Sequence, residues 1–368
     1  MSARRLRVGV IFGGRSGEHE VSVMSARGIL KALDPDRFEP VLIGIDRGGR
    51  WQLIEARALL APPAAAAAQA VGEGSLVAMA DAGGSSALVR AGSTDLKGQY
   101  GVDVFFPIVH GTQGEDGALQ GLLEMAGAPY VGCGVLGSAV GMDKDVSKRL
   151  LRDAGLPIVD FIVVRAGRVE ASLATRVEAE LGYPCFVKPA NLGSSVGVVK
   201  VRSAAELPAA VAEGFRYDRK LVIERAIAAR EIETAVLGLG QPRVSLPGEI
   251  VPRHDFYSYE AKYLDPEGAE LLVPAPIDDA QTREVQALSL RAFEALELEG
   301  LARVDFFLEK GTGRWFVNEV NTLPGFTEVS MYARMWQHSG LSYRDLVTCL
   351  LELALERFEA RRALETER

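Results

Sequence analysis

Cysteine, histidine and tryptophan are scarce in this chain, with three, four and three among 368 residues. Cys133, Cys185 and Cys349 are odd in number, far apart and without metal-ligand spacing. That pattern argues against a disulfide framework or a thiolate metal site and fits a reducing cytosol. No block of Lys or Arg offsets the net charge of −8, so a nucleic-acid surface is not expected. Long apolar runs are missing as well. Arg4, Arg5 and Arg7 lead into Val8-Gly-Val-Ile-Phe12, too short a stretch for a signal peptide or a membrane span. The expectation is a cytoplasmic protein with neither a membrane nor a nucleic-acid partner.

What is present describes a soluble globular, enzyme-like chain: 48% hydrophobic residues, 24% charged, and a length that calls for two or three domains. Leu6 to Phe12 is a buried-strand pattern, followed by Gly13-Gly14-Arg-Ser-Gly17-Glu18-His19-Glu20-Val21-Ser22 and a helix to about Leu33. Strands at Pro40 to Ile45 and Val102 to Val109 continue a parallel-sheet reading. Residues 61 to 100, rich in Ala, Gly and Ser, read as a weakly specified surface insertion. Beyond Pro157 the character changes to strands with short connections, at Cys185 to Pro189, Val196 to Val201, Lys220 to Glu224 and Ile232 to Leu239. Helical spacing returns from Asp278 to Leu298 and from Tyr343 to about Leu364.

Residues 303 to 321 carry the strongest chemical signal. Arg303 and Asp305 alternate on one strand face, as do Glu319 and Asn321, and Glu309-Lys-Gly-Thr-Gly-Arg314 lies between as a turn. A hairpin centred on Thr312 sets Asp305 opposite Glu319 and Arg303 opposite Asn321. Carboxylates facing each other on a sheet repel unless something neutralises them. An all-oxygen set of this kind suits Mg²⁺, which draws its remaining ligands from water and phosphates. The competing reading is a solvated, charged hairpin face.

Val187-Lys188-Pro189-Ala-Asn-Leu-Gly193-Ser194-Ser195-Val196-Gly197-Val198 is a strand, a small-residue loop and a second strand. Its backbone N–H groups could approach an anion while Lys188 adds a point charge. It is not a Walker A loop, and Gly13-Gly14-x-x-Gly17 is not a dinucleotide fingerprint. A plain hairpin is a fair alternative for 188–198. Val222-Ile-Glu224-Arg225-Ala226-Ile227 and Arg230-Glu231-Ile-Glu233 form a strand end and connector able to read a purine edge and ribose hydroxyls, or an ordinary strand turn. His254-Asp-Phe256-Tyr-Ser-Tyr259-Glu-Ala-Lys262-Tyr263 is an aromatic and basic loop of the kind used as a lid, or simply a surface loop.

Taken together and in order, these motifs resemble the D-alanine–D-alanine ligases of the ATP-grasp superfamily. The resemblance runs from Gly13 to Tyr332 and includes His110-Gly-Thr-Gln-Gly-Glu-Asp-Gly117 and Met142-Asp-Lys144. It implies a three-domain α/β ATP-grasp fold with an N-terminal Rossmann-like parallel sheet. The implied extents are 1–141 (with the insertion near 61–100), 142–238 and 239–368. It also implies a homodimer.

The implied reaction joins two D-alanines at the expense of ATP, through a D-alanyl phosphate, for peptidoglycan precursors. By resemblance Asp305, Glu319 and Asn321 hold two Mg²⁺ ions, with Mn²⁺ as a substitute. Lys144, Lys188, Ser194, Ser195, Lys262 and Asn318 serve the phosphates of ATP. Glu224, Arg225, Ala226, Ile227 and Glu231 serve its adenosine, with Phe256 stacking. Arg303 and the Gly325 N–H stabilise the oxyanion. Glu18 takes the first D-alanine's ammonium with His110 near its carboxylate, and Ser330 with Met331 takes the second carboxylate.

Glu18, Ser194 and Tyr263 are implied to link into a closed lid that keeps water out. From the residues alone, the preferred reading of Glu18 is an acid favoured by a helix N-terminus. Tyr263 resembles the dipeptide-forming class. The alternative is another ATP-grasp carboxylate–amine ligase, such as one joining D-alanine to D-lactate or D-serine. Two departures from the family pattern are Met331 in place of Leu and Ala333 in place of Pro, the latter loosening the turn after the substrate site.

Overall fold

The computed structural model describes residues 4–60, 75–81, 86–90, 100–252 and 268–364, with backbone only at 75–81, 86–90 and 100. Three sheets organise the chain. The first contains β1 (Leu6–Gly13), β2 (Phe38–Ile45), β3 (Trp51–Ile54), β4 (Ser75–Asp81), β5 (Ser86–Arg90), β6 (Tyr100–Gly101) and β7 (Val104–Pro107). Its order is β6-β5-β4-β3-β2-β1-β7. β1 pairs in parallel with both β2 and β7, and β3 to β6 continue the sheet antiparallel. The stretch read as a weakly specified surface insertion therefore supplies strands. Its Ala/Gly/Ser composition masks the alternation that usually marks them.

β1 is apolar throughout because both of its faces are covered. Val8, Val10 and Phe12 turn to one core and Ile11 to the other. The first core holds α1 (His19–Ala32), while α2 (Ala56–Leu60) contributes Leu59. The second holds Leu119 and Leu123 of α3 (Ala118–Met125). Two helices follow, α4 (Val135–Met142) and α5 (Lys144–Asp153). Between them Asp143 accepts from the Val146 N–H and caps α5.

The second sheet is antiparallel, in the order β10-β9-β11-β8, from β8 (Phe161–Arg165), β9 (Cys185–Pro189), β10 (Val199–Val201) and β11 (Lys220–Arg225). Alternation sorts its faces. Ile162, Val164, Cys185, Val187, Leu221 and Ile223 pack with α6 (Leu173–Glu180) and α7 (Leu207–Gly214). Lys188 and Glu224 consequently lie on the opposite face.

The third sheet runs β15-β14-β12-β16-β17 and includes β12 (Ala229–Gly238), β13 (Arg243–Val244), β14 (Gly248–Pro252), β15 (Ala269–Leu272), β16 (Gly300–Glu309) and β17 (Trp315–Asn321). β12 pairs with β16 along its whole length, so residues 229–238 belong to this sheet and not with the central segment where the sequence reading placed them. Ile232, Val236, Ala302, Val304 and Phe306 pack against α8 (Asp279–Ala295). The same strands present Glu233, Arg303 and Asp305 on the other face.

Two further helices, α9 (Met331–His338) and α10 (Tyr343–Arg362), end the described chain. Leu346, Val347, Leu350 and Leu351 of α10 enter the core of β1 and α1, so the C-terminal helix closes the N-terminal sheet. Ala333 sits fully buried in the first turn of α9.

Phe326 joins these parts. Its ring lies 5.5 Å from Phe106, 5.9 Å from Tyr332 and 5.6 Å from Tyr343, and its carbonyl accepts from the Tyr343 hydroxyl at 2.7 Å. Phe326→Ala is expected to lower unfolding free energy by about 3–5 kcal/mol, the usual loss for a buried aromatic. Urea unfolding checks this, and an unmoved midpoint would show that the 322–330 loop is anchored elsewhere.

Candidate active site

The two strands that carry Arg303, Asp305, Glu319 and Asn321 pair as the alternation implies: Arg303 opposite Asn321 and Asp305 opposite Glu319. Nearer the turn the register shifts, so Phe306 faces Val317 and Asn318 is the extra residue of a bulge. The shift has a structural consequence. Val317 and Val320 both reach the core under α8, while Glu319 and Asn321 stay on the polar face.

Arg303 donates to both oxygens of Asp305, Nε to Oδ1 and Nη2 to Oδ2, each at 2.7 Å. Asn321 Nδ2 donates to Asp305 Oδ2 at 3.0 Å. Burial disfavours the guanidinium charge, yet Asp305, Glu233 and Glu319 outweigh it and raise the Arg303 pKa well above its ordinary value.

Lys144 approaches this patch from the N-terminus of α5. Its Nζ lies 3.9 Å from Glu319 Oε2 and donates to the Leu192 carbonyl at 2.6 Å. Among the described residues no three His, Cys, Asp or Glu side chains converge as a metal cage. The donors that do line up, two carboxylates and a side-chain amide, are all hard oxygen ligands. A carboxylate has about four lone-pair sites, so Asp305 keeps capacity beyond its bonds to Arg303 and Asn321. The set fits Mg²⁺, an ion that relies on phosphates and water for the rest of its shell.

Glu224 lies on the opposite wall between two lysines, with Oε2 2.5 Å from Lys188 Nζ and Oε1 3.1 Å from Lys148 Nζ. Burial pushes the Glu224 carboxyl up, but the two ammonium groups overcome that and hold it at about 2. The lysines respond in opposite senses. Lys148, only 1% exposed, is lowered by burial and by repulsion from Lys188. Lys188 is raised, since Glu224, Glu319 and Glu231 together outweigh its burial. Arg225, Ala226 and Ile227 follow as a half-buried connector, in which the Ala226 N–H donates to Pro184 O at 3.2 Å.

The small-residue loop crosses to the first domain. Ser194 and Ser195 adopt left-handed conformations, φ 50° and 59°, and the Ser194 hydroxyl donates to Glu18 Oε1. Glu18 occupies the N-cap of α1 without making a capping bond, so its side chain serves the inter-domain contact. His110 is buried, with Nδ1 3.1 Å from Leu323 O and 3.4 Å from Glu115 Oε1. Burial lowers the imidazole pKa, and Glu115 with Glu18 more than restores it, so the shift is upward. On the far side Gly325 is half-buried, the Ser330 hydroxyl donates to Thr327 O at 2.6 Å, and Met331 is buried. Phe256, Lys262 and Tyr263 lie outside the described residues.

Three contributors escaped the sequence reading. Lys148 follows Lys144 by one helical turn, a spacing that would have marked it. Glu233 follows Glu231 by two on a strand, again on the same face. Glu115 sits inside a quoted motif, but nothing local predicts its contact with His110.

Comparison with known proteins bears on this geometry. Residues 7–133 match the family model described as D-ala D-ala ligase N-terminus, and residues 150–352 match D-ala D-ala ligase C-terminus. The chain is 51% identical over 356 residues to D-alanine–D-alanine ligase A of Chromobacterium violaceum, covering 96% of each. Among solved structures it is similar to the D-alanine-D-alanine ligase from Coxiella burnetii, with TM-score 0.87 and 38% identity over 98% of this chain and 97% of that one. It also resembles the VanG D-Ala:D-Ser ligase from Enterococcus faecalis, with TM-score 0.83 and 33% identity over 95% and 100% of the two chains.

The Glu224 trio gives a pH test. Its folded pKa is depressed to about 2 from an ordinary 4.5, so its contribution is complete above about pH 4.5 and disappears as pH falls toward 2. Glu224→Gln is expected to cost about 3 kcal/mol at pH 7, with the gap from wild type narrowing below about pH 4.5. Urea unfolding across that range measures it, and a pH-independent gap would refute the ion-pair account.

Proposed function

The chain belongs to the D-alanine–D-alanine ligase family, and on that premise we propose that it joins two D-alanines with cleavage of ATP to ADP and phosphate. A carboxylate oxygen of the first D-alanine attacks the γ-phosphorus and the bond to ADP breaks. The amine of the second D-alanine then attacks the acyl carbon, a proton leaves the nitrogen, and phosphate departs as the peptide bond forms. The observation that carries this reading is the Ser194–Glu18 hydrogen bond, which brings the small-residue loop against the first domain in a chain whose Arg303 and Asp305 lie beside Glu319 and Asn321.

Each residue has a task in this scheme. Lys144, Lys188, Ser194, Ser195 and Asn318 orient the phosphates, and Glu224 to Ile227 with Glu231 hold the adenosine. Asp305, Glu319 and Asn321 would hold Mg²⁺, which supplies charge neutralisation at the transferring phosphoryl group. Arg303 and the Gly325 N–H receive the negative charge that builds on the acyl oxygen. Glu18 binds the first ammonium beside His110, and Ser330 with Met331 takes the second carboxylate. Excluding water matters because an acylphosphate hydrolyses readily.

D-alanine as second substrate is supported by 51% identity to a D-alanine–D-alanine ligase against 33% to a D-Ala:D-Ser ligase. A cytoplasmic homodimer supplying peptidoglycan precursors completes the proposal. Among the described residues no helix is long and apolar enough to cross a membrane.

Phosphate release with ATP and Mg²⁺ is expected to require D-alanine, not L-alanine, and mass analysis is expected to show D-alanyl-D-alanine. A depsipeptide formed with added D-lactate would overturn the second-substrate assignment alone. Asp305→Ala and Glu319→Ala are each expected to lower kcat by about 10²-fold or more. Full turnover in both would overturn the metal assignment.

A further inference from the structure

Glu233 is a buried acid in the middle of β12, 4% exposed, and the reaction scheme above gives it no task. It pairs across the sheet with Asp305, which pairs in turn with Glu319, so three carboxylates form a row over three adjacent strands. Like charges in such a row destabilise a sheet. Along the same face of β12 the next positions are Ala235 and Leu237, both fully buried or nearly so. An apolar residue at 233 would therefore continue the core at lower cost than a desolvated carboxylate.

The position of its carboxyl suggests why the acid is there. Glu233 Oε2 lies 3.1 Å from Arg303 Nε, the same nitrogen that donates to Asp305 Oδ1. The single Nε hydrogen goes to Asp305, so the Glu233 contact is an ion pair, and Arg303 meets carboxylates from two strands. The second cross-strand neighbour of Glu233 is Gly248, where a Cβ would fall 2.6 Å from the Met331 sulfur. Glu233 consequently lies between the residue assigned to the second carboxylate and the guanidinium assigned to the acyl oxygen.

We propose that Glu233 is a positioning residue for Arg303, restraining the guanidinium where the tetrahedral intermediate forms, while Asp305 would also serve a metal ion. The inference rests on the role given to Arg303 above. The bidentate Asp305 fork fixes the guanidinium plane, and a buried carboxylate on the neighbouring strand adds an electrostatic restraint from a second direction. Glu233 lies on the strand away from Glu319 and Asn321, the other residues that would hold the metal, so its charge remains directed at Arg303.

The test uses Glu233→Gln, which keeps shape and an acceptor but removes the charge, alongside Arg303→Lys and the double variant. Glu233→Gln is expected to lower kcat roughly 10- to 100-fold while the ATP KM stays within about threefold. Binding of Mn²⁺-ADP, followed by the Mn²⁺ resonance signal, is expected to stay within about twofold, a readout independent of turnover. In the double variant the Glu233 change is expected to cost less than about threefold beyond Arg303→Lys, because its effect passes through Arg303.

Unchanged kcat in Glu233→Gln with a loss in Arg303→Lys would overturn this inference and leave the Arg303 role intact. Unchanged kcat in both would overturn the Arg303 role itself. Weakened Mn²⁺-ADP binding would make Glu233 a metal ligand, and fully additive losses would make it a structural residue. Either result refutes positioning.

Discussion

Arg303 cannot shed its charge by deprotonation, and it lies inside a sheet, so its neighbours must be anions. That single requirement organises the third sheet. Asp305 meets it on the same strand, Glu233 on one neighbouring strand, and Glu319 adds its charge from the other. The carboxylates in turn exceed the cation in number, and the remaining negative charge is what makes the patch receptive to a divalent ion and to Lys144. Structure and chemistry thus share one electrostatic balance, in which loss of Arg303 would leave buried carboxylates uncompensated.

The patch would be useless without a wall facing it, and the chain builds that wall from its two ends. α10 packs its apolar face onto β1 and α1, so the last helix and the first strand share a core. The loop between β17 and α9 is caught in the joint. Leu323 O meets His110, the Phe326 N–H donates to Ser25 at 3.2 Å, and the Phe326 carbonyl accepts from Tyr343. Gly325, the proposed backbone donor, is therefore flanked on both sides by residues tied to the first domain. A donor held this way needs little reorganisation when charge develops beside it.

Much of this could be read from the sequence because alternation is a strong code. The strands at 185–189 and 220–225, the pairing of Asp305 with Glu319, and the C-terminal helix all follow from period two or period 3.6. The rest depends on information that periodicity does not hold. Trp315-Phe-Val-Asn-Glu-Val-Asn321 has no mark for the bulge at Asn318, which arises because two valines must reach one core. The periodicity of α10 names a face but not the partner it covers. The strands between 75 and 101 are obscured by small residues, and α9 is short enough to pass for part of a turn. Glu233 was visible as an acid in phase with Glu231, but its importance appears only when Arg303 is seen beside it.

The small-residue loop shows how function and strain are exchanged. Ser194 and Ser195 hold positive φ in succession, a conformation that costs a residue with a Cβ roughly 1–2 kcal/mol relative to the right-handed region. Gly197, at φ 71°, meets the same demand without that cost, so glycine was chemically available to the loop. Glycine would relieve the backbone but remove the hydroxyl that reaches Glu18 across the domain boundary. Non-glycine residues in this region cluster where a side chain is needed for the mechanism. The Ser194 hydroxyl therefore ties the loop to the first domain through Glu18, at the backbone cost of its positive φ. Because Glu18 is also the proposed ammonium ligand, the loop contact and the proposed substrate contact draw on the same carboxylate.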